Sequence, residues 1–85
     1  MSNDFDTVLA TFRSLICPIF FIDDPETITP ETTAADVEGW DSLSHTLVIM
    51  AVERAFGIRF LASDTVFENV GEMVQGILDR LPKGR

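Results

Sequence analysis

The stretch Gly39-Trp40-Asp41-Ser42-Leu43-Ser44-His45 joins a polar loop to a long apolar segment. Asp41 is a good helix N-cap, because its carboxylate can accept hydrogen bonds from the free N–H groups of a first helical turn. Ser42 then occupies the first helical position, where a partner can reach its hydroxyl. An ordinary helix start explains this spacing, and so does a helix start that also presents Ser42 for covalent attachment.

The helix that begins at Ser42 is predicted to end at Phe56, with Gly57 as its C-terminal stop. Residues 46–52 are apolar enough for a strand, but the continuation through Glu53 and Arg54 favours a helix. At about 100° per residue, two apolar faces result. The predicted core-facing residues are Val48, Val52, Ala55 and Phe56, with Ile49 at their edge. The opposite face holds Leu43, Leu47 and Met50 on one line with Arg54, and in so small a protein it predicts a partner-binding surface.

The preceding helix is predicted from apolar residues that recur at three- and four-residue steps, with Asn3 or Asp4 as its cap. These residues are Phe5, Val8, Leu9, Phe12, Leu15, Ile16 and Ile19. Pro18 lacks a backbone N–H and crowds the carbonyl of Ser14. We therefore expect a kink between these two residues, or a helix that ends there and restarts.

The chain from Asp23-Asp24-Pro25 to Trp40 is rich in Pro, Thr, Asp and Glu, which predicts a long loop. Connections of this length usually have a role or packing of their own. Its predicted anchors to the core are Ile28, Val37 and Trp40, and residues 34–37 are predicted to form a short helical turn. For Trp40, burial and partial exposure beside Ser42 are both consistent with the sequence.

The C-terminal third predicts a link, a short helix and a last main helix. In the link, residues 57–61, Phe60 is predicted to point inward and Arg59 outward, and the short helix is placed at about residues 63–67. Asn69 and Glu72 form a capping-box-like pair for the last helix, which Pro82 ends. The predicted core-facing residues of that helix are Val70, Met73, Val74, Ile77, Leu78 and Leu81. The sequence therefore predicts an all-α fold, a small four-helix bundle of three main helices and one short helix, with a long loop between the first two.

Composition predicts one domain over residues 1–85 with a small core. The 14 acidic and 6 basic residues give a net charge of −8, and no Lys or Arg occurs between Arg13 and Arg54. A solvated acidic surface accounts for this bias, but it also disfavours nucleic acid and favours partners with basic patches. No segment of the sequence is apolar for long enough to span a bilayer, and we expect a cytoplasmic monomer.

The residues that could carry chemistry do not predict an enzyme. His45 lies three residues after Ser42, but the Gly-x-Ser-x-Gly turn of serine hydrolases is absent. We interpret His45 as a partly buried histidine that is hydrogen-bonded to loop backbone. Cys17, the single cysteine, lies among apolar residues and is interpreted as a buried, inert thiol rather than a reactive or acyl-carrying one. The sequence has no calcium- or zinc-binding pattern, so we expect no more than adventitious cation binding by loop carboxylates.

Residues 36–60, DVEGWDSLSHTLVIMAVERAFGIRF, resemble the acyl carrier protein family. The likeness is centred on Asp41-Ser42-Leu43, followed by a helix that ends in Glu53, Phe56, Gly57 and Ile58. The upstream ITPETT (residues 28–33) and the downstream NVGEMV (residues 69–74) are similar to the family as well. The likeness covers nearly the whole chain in the right order.

The resemblance implies that Ser42, directly after Asp41, receives a 4′-phosphopantetheine arm from coenzyme A. A separate phosphopantetheinyl transferase would add this arm, and its terminal thiol would hold acyl intermediates as thioesters. The implied partners are acyl-loading, condensing or acyl-transfer enzymes of fatty-acid-like, polyketide-like or other specialised biosynthesis. Asp41 before the serine is similar to acyl carriers, whereas peptidyl carriers commonly have histidine there. The alternatives are a peptidyl carrier of a nonribosomal pathway and an acidic helical interaction module that is never modified.

The second helix departs from the family in its exposed charges. Family members commonly carry acidic residues along this side, where basic enzymes dock. Here Leu47 and Arg54 occupy that line, while Asp41 and Glu53 remain acidic. We therefore predict a partner-binding surface in which apolar contact contributes more, and charge less, than is usual for the family. Its residues are Leu43, Leu47, Met50, Glu53 and Arg54.

Overall fold

The computed structural model describes residues 4–61 and 65–81, and all regular secondary structure within these ranges is helical. The three α-helices are α1 (Phe5–Phe20), α2 (Ser42–Phe56) and α3 (Val70–Arg80). Two short 3₁₀ helices, Pro25–Thr27 and Ala34–Asp36, lie in the connection between α1 and α2. None of the helices in the described ranges is both long enough and apolar enough to cross a membrane. The all-α class is thus confirmed, and α2 has its predicted bounds.

The fourth, short helix predicted at residues 63–67 is not confirmed. Residues 62–64 lie outside the described residues, and Thr65, Val66 and Phe67 have no helical conformation. The backbone carbonyl of Thr65 accepts a hydrogen bond from His45, so this segment is bonded to α2. The predicted stop at Pro82 also lies outside the described residues.

The central packing element is α1, because it contacts both α2 and α3. Phe12 and Ile16 of α1 are completely buried, and each contributes about 1.5–3 kcal/mol relative to an exposed position. The other core residues are Val8, Leu9, Ile28, Val37, Val48, Ile49, Val52, Ile58, Phe60, Val70, Met73, Val74 and Ile77. The predicted apolar faces of α1 and α3 are confirmed, as is the inward position of Phe60.

The helix starts follow from capping side chains. Asp4 caps α1, and its Oδ1 accepts the N–H of Thr7 at 2.9 Å, whereas Asn3 lies outside the described residues. Asn69 caps α3 and accepts the N–H of Glu72 at 2.9 Å. The carboxylate of Glu72 accepts the N–H of Glu68 at 2.8 Å rather than that of Asn69, so the capping-box-like pair is confirmed on one side only.

Pro18 does not end α1, which continues to Phe20, so the prediction that the helix stops and restarts is wrong. Pro18 lies in the last turn, where its missing N–H removes only one hydrogen bond near the helix end. The end itself is formed by Phe21 and Ile22, whose N–H groups both donate to the carbonyl of Cys17. Cys17 is half-buried rather than buried, which corrects the prediction for its thiol.

The long connection packs on α1 and caps α3. The guanidinium of Arg13 donates to the carbonyl of Ile28 at 2.8 Å, and Ile28 and Val37 are buried as predicted. At the start of α3, the N–H of Val70 donates to the carbonyl of Thr32 at 2.8 Å. The N–H of Gly71 likewise donates to the carbonyl of Pro30 at 2.8 Å. These bonds satisfy helix N–H groups that have no partner within the helix, so the connection has a structural role.

Close approach explains the glycine at position 71. A Cβ atom added there would lie 3.0 Å from the carbonyl oxygen of Pro30 and 3.2 Å from the Pro30 Cβ. A larger residue at Gly71 would therefore displace the loop or break the hydrogen bond that caps α3. Gly71 lowers helix propensity, but it permits this contact.

The core-facing side of α2 differs in part from the predicted one. Val48, Ile49 and Val52 are buried, Phe56 is only half-buried, and Ala55 is exposed. On a helix, residues 49 and 55 lie about 60° to either side of residue 52. The core lies on the Ile49 side, so Ala55 was wrongly assigned to it.

Candidate functional site

Ser42 is the first residue of α2, and its side chain is exposed. Asp41 precedes it in extended conformation, and its Oδ1 accepts the Ser44 N–H at 2.9 Å. The Asp41 carbonyl accepts the His45 N–H at 2.8 Å. The predicted N-cap is therefore confirmed. The backbone carbonyl of Ser42 accepts a hydrogen bond from the Thr46 hydroxyl at 3.2 Å. The Ser42 hydroxyl itself has no hydrogen-bond partner within residues 4–61 and 65–81.

Ser44 joins the loop before Ser42 to α2 by hydrogen bonds. The Ser44 hydroxyl donates to the carbonyl of Gly39 at 2.8 Å, while its N–H donates to Asp41. Gly39 has a φ of +90°, which residues with a side chain rarely adopt. Ser44 is therefore hydrogen-bonded to Gly39 and Asp41, the residues on either side of Trp40. This role of Ser44 was not predicted from the sequence, although a hydroxyl three residues after an N-cap can reach back to the loop.

The pKa of Asp41 is lowered from its ordinary value of 3.8, chiefly by the hydrogen bond from the Ser44 backbone N–H. The nearby Ser44 side chain acts in the same direction, although its hydroxyl donates to the Gly39 carbonyl. The hydrogen bond from the Ser44 N–H favours the ionised carboxylate, because a carboxylate accepts this bond better than a neutral acid does. Asp41 is therefore an anion at neutral pH and is committed to capping α2.

Trp40 and His45 form a hydrogen-bonded aromatic pair near Ser42. The Trp40 indole stacks on Phe20 at 5.0 Å between ring centroids, and its Nε1–H donates to Nδ1 of His45 at 3.1 Å. An indole N–H can only donate, so Nδ1 of His45 accepts and the imidazole proton resides on Nε2. That Nε2–H donates to the carbonyl of Thr65 at 2.5 Å. Trp40 is half-buried, which settles its predicted position as partial exposure beside Ser42.

These contacts give the described residues no catalytic pair around Ser42. Both nitrogens of His45 are engaged, one by Trp40 and one by loop backbone, which confirms the interpretation made from the sequence. A general base must reach the proton that it removes, and His45 makes no hydrogen bond to Ser42. In the described part of the chain, no group of three or more Asp, Glu, His or Cys residues is arranged to hold a metal ion.

The exposed face of α2 begins beside Ser42. Leu43, Leu47 and Met50 are 75%, 49% and 55% exposed, and Arg54 is exposed on the same line, as predicted. We call these four residues the α2 stripe. Glu53 is half-buried, and its Oε2 accepts the N–H of Phe60 at 2.9 Å. Its carboxylate therefore already holds the link after α2, which the sequence analysis did not predict.

A surface groove lies at the C-terminal end of the α2 stripe. Its volume is about 830 Å³, and it is open to solvent rather than enclosed. Its lining residues are Leu15, Met50, Ala51, Glu53, Arg54, Ala55, Gly57, Ile58 and Arg59. Because Leu15 comes from α1 and Arg59 from the link, no local pattern in the sequence predicted this groove.

No family model matches this chain, and no curated protein was found to match its sequence. The comparisons therefore assign neither a family nor an activity.

Proposed function

We propose that this chain is a carrier protein of the acyl carrier type, with Ser42 as the attachment point of a 4′-phosphopantetheine arm taken from coenzyme A. The observation that carries this proposal is the position of Ser42. Ser42 begins α2, its side chain is exposed, and no described residue engages its hydroxyl. Transfer of a group to serine requires a hydroxyl that the active site of a second protein can enclose, and Ser42 offers one.

The fixed backbone around Ser42 supports the same proposal. Ser44 bonds to both Asp41 and Gly39, so the backbone that leads into Ser42 has a constant geometry for a transferase. The positive end of the α2 dipole lies at this position and favours the negative phosphodiester that would form on Ser42. The Asp41 carboxylate opposes that charge, but its hydrogen bond to the Ser44 N–H offsets part of the repulsion.

The proposed modification is a group transfer without oxidation or reduction. The Ser42 oxygen forms a bond to the phosphorus that bears the pantetheine, and the bond from that phosphorus to adenosine bisphosphate breaks. The serine proton passes to a base of the transferase, because His45 is engaged by Trp40 and Thr65. When attached, the arm supplies a terminal thiol that holds the acyl cargo. The chain itself positions Ser42 and presents a surface to each partner.

The surface charge favours partners with basic docking sites near Ser42. Asp36, Glu38 and Asp41 are all exposed and precede Ser42 closely in the chain. Such a field raises the rate at which a basic partner finds this end of the molecule, and salt reduces the effect. The α2 stripe would then provide apolar contact, because Leu43 and Leu47 are exposed beside the serine.

A second candidate is an interaction module that is never modified. The exposure of Leu43, Leu47 and Met50 supports it, since the same apolar face would bind a partner whether or not Ser42 carries an arm. Modification of Ser42 therefore separates the two candidates.

The test is incubation with phosphopantetheinyl transferases of broad specificity, magnesium and coenzyme A, followed by intact-mass measurement. We expect the mass gain of one 4′-phosphopantetheine group, with the modified peptide containing Ser42. Ser42→Ala should fold and gain no mass. Ser14→Ala changes another exposed serine, on α1, and should be modified like the wild type.

Wild-type protein that remains unmodified with several such transferases would contradict the carrier proposal and favour the interaction module. Modification that persists in Ser42→Ala would place the arm on another residue and would equally contradict the assignment of Ser42.

A further inference from the structure

We propose that the groove at the end of α2 is a docking site for an acidic, amphipathic segment of a partner protein. The proposal concerns the C-terminal end of the α2 stripe together with Arg59 and Leu15, and it does not depend on the modification of Ser42. Met50 and Arg54 lie two to three helical turns from Ser42, about 12–18 Å along the axis of α2. A partner at the groove would thus contact a different part of the molecule from an enzyme that encloses Ser42.

The arginines in the described part of the chain fall into two groups, those that contact other residues of the chain and those with exposed side chains. Arg13 donates to the carbonyl of Ile28 and is half-buried. Arg80 lies over the ring of Phe60 at 4.7 Å and donates to the carbonyl of Gly76. Among residues 4–61 and 65–81, the two arginines with exposed side chains are Arg54 and Arg59.

Arg54 and Arg59 both line the groove. Neither has a hydrogen bond or ion pair with another described residue. In a chain with a net charge of −8, these two arginines provide a local site for carboxylates. Glu53 also lines the groove, but its carboxylate accepts the N–H of Phe60 and forms no ion pair with either arginine.

The dipole of α2 accounts for the position of Arg54 but not for that of Arg59. Arg54 lies in the last turn of α2, where a cation is stabilised by the negative end of the helix dipole. Arg59 lies beyond the helix, so the dipole does not account for its position. Its location on the same groove as Arg54 is the observation that indicates a partner.

The remaining lining is apolar and shaped for a protein segment. Leu15, Ala51 and Ile58 contribute apolar surface, and Met50 adds a flexible side chain that adapts to different partners. Because the groove is open along the surface, it suits an amphipathic helix better than a small ligand, which is normally enclosed on most sides. The complementary segment presents apolar residues to this floor and carboxylates to the two arginines.

The test compares two synthetic peptides that share one amphipathic apolar pattern, with Glu at the polar positions of the first and Lys at those of the second. Each is titrated into the isotopically labelled full chain while backbone and methyl NMR signals are followed. We expect the Glu peptide to shift signals of Leu15, Met50 and Ile58. In Arg54→Gln/Arg59→Gln, its affinity should fall by about tenfold, as for two exposed ion pairs.

The matched control is Ala10→Glu/Gln75→Glu, which changes net charge by the same amount at exposed positions of α1 and α3. This control should retain affinity within about twofold, because long-range charge is screened by salt. Equal loss of affinity in the control would contradict the local role of the arginines. Equal binding of the Lys peptide would do so as well, as would shifts that map to another surface.

Two other occupants are tested in the same experiment. Decanoate replaces the peptide in one arm, and a dilution series without any additive forms another. Shifts at Leu15 and Ile58 with decanoate, but none with the Glu peptide at about 1 mM, would assign the groove to a small anionic amphiphile and overturn the proposal. Shifts on dilution alone would instead assign it to a second copy of this chain.

Discussion

Trp40 donates its indole N–H to Nδ1 of His45 at 3.1 Å, and this bond joins the loop before Ser42 to the first turn of α2. The same indole stacks on Phe20 at the end of α1. The imidazole in turn donates to the carbonyl of Thr65. One aromatic pair therefore connects α1, the Ser42 loop, α2 and the segment before α3, and it does so without contacting the Ser42 hydroxyl.

The Trp40–His45 bond makes a prediction about the imidazole. In the wild type, nitrogen NMR should show Nε2 protonated and Nδ1 unprotonated at a pH where His45 is neutral. Trp40→Phe retains a ring for stacking but removes the donor, so both tautomers should be populated and stability should fall by about 1 kcal/mol. Phe20→Leu is the control, because it changes the stacking and leaves the donor in place. A wild-type protein with its proton on Nδ1 would contradict this arrangement.

We predict that the start of α2 loses stability in acid, because the Asp41 carboxylate caps it. Since its folded pKa is lowered from 3.8, its stabilising contribution is complete above that value and is lost as pH falls through the lower folded pKa. The Ser44 amide signal should therefore titrate with a midpoint below 3.8. Asp41→Asn keeps an acceptor oxygen and should abolish this titration, whereas Asp41→Ala should destabilise the protein at neutral pH, because the helix N-cap is lost. A midpoint at or above 3.8 would show that the carboxylate does not cap the helix.

The sequence was sufficient to predict α2, because both of its ends have local chemical signals. Asp41 is a strong N-cap and Gly57, at a φ of +68°, supplies the left-handed conformation of the C-cap. The exposed stripe of Leu43 and Leu47 followed from helical periodicity alone. The presentation of Ser42 could be predicted for the same reason, since it depends only on residues next to it in the chain.

Features built from distant residues could not be predicted in this way. The bond from the Val70 N–H to the Thr32 carbonyl joins residues far apart in the sequence, and backbone groups carry no sequence signal. The groove between Leu15 and Arg59 has the same origin. The end of α1 was missed because Phe21, rather than glycine, occupies the left-handed C-cap.

We predict that replacing Phe21 with glycine stabilises the protein. Its φ of 56° and ψ of 45° are left-handed, and its side chain is 89% exposed, so little packing compensates for the backbone strain. Phe21→Gly should raise the free energy of unfolding by about 1 kcal/mol, because glycine adopts this conformation without a steric penalty. Phe21→Ala keeps the β-carbon and should give little or none of this gain. Urea denaturation measures both variants, and equal stabilisation by alanine would contradict the backbone explanation.

Substitutions of Phe12 and Phe56 should destabilise the protein to different extents, because the two side chains differ in burial. Phe12 is fully buried, so Phe12→Ala should destabilise the protein by about 3–5 kcal/mol, while Phe12→Leu should cost about 1 kcal/mol and remain folded. Phe56 is only half-buried, and Phe56→Ala should cost about 1–2 kcal/mol. Chemical denaturation of Phe12→Ala and Phe56→Ala tests this order, and Phe12→Leu shows that position 12 still folds with a smaller side chain. A larger loss at Phe56 than at Phe12 would mean that the core is centred on the end of α2.

Leu47 tests whether the α2 stripe is a recognition surface or part of a hidden interface. Its side chain is 49% exposed on the face opposite Val48 and Val52, so Leu47→Glu should change stability by less than about 0.5 kcal/mol. The same substitution places a charge where we propose apolar contact with partner enzymes. It should therefore lower kcat/KM for modification of Ser42 by a transferase, even though Leu47 lies more than one helical turn away.

Thr46→Glu is the matched control, because it adds the same charge at an exposed neighbouring position whose side chain points about 100° away from that of Leu47. It should leave modification close to the wild-type rate. Thermal unfolding and transferase kinetics of the two variants decide the matter together. Unfolding of Leu47→Glu would place Leu47 in a core or dimer interface, and equal kinetic losses in both variants would mean that charge, rather than apolar contact at Leu47, governs recognition.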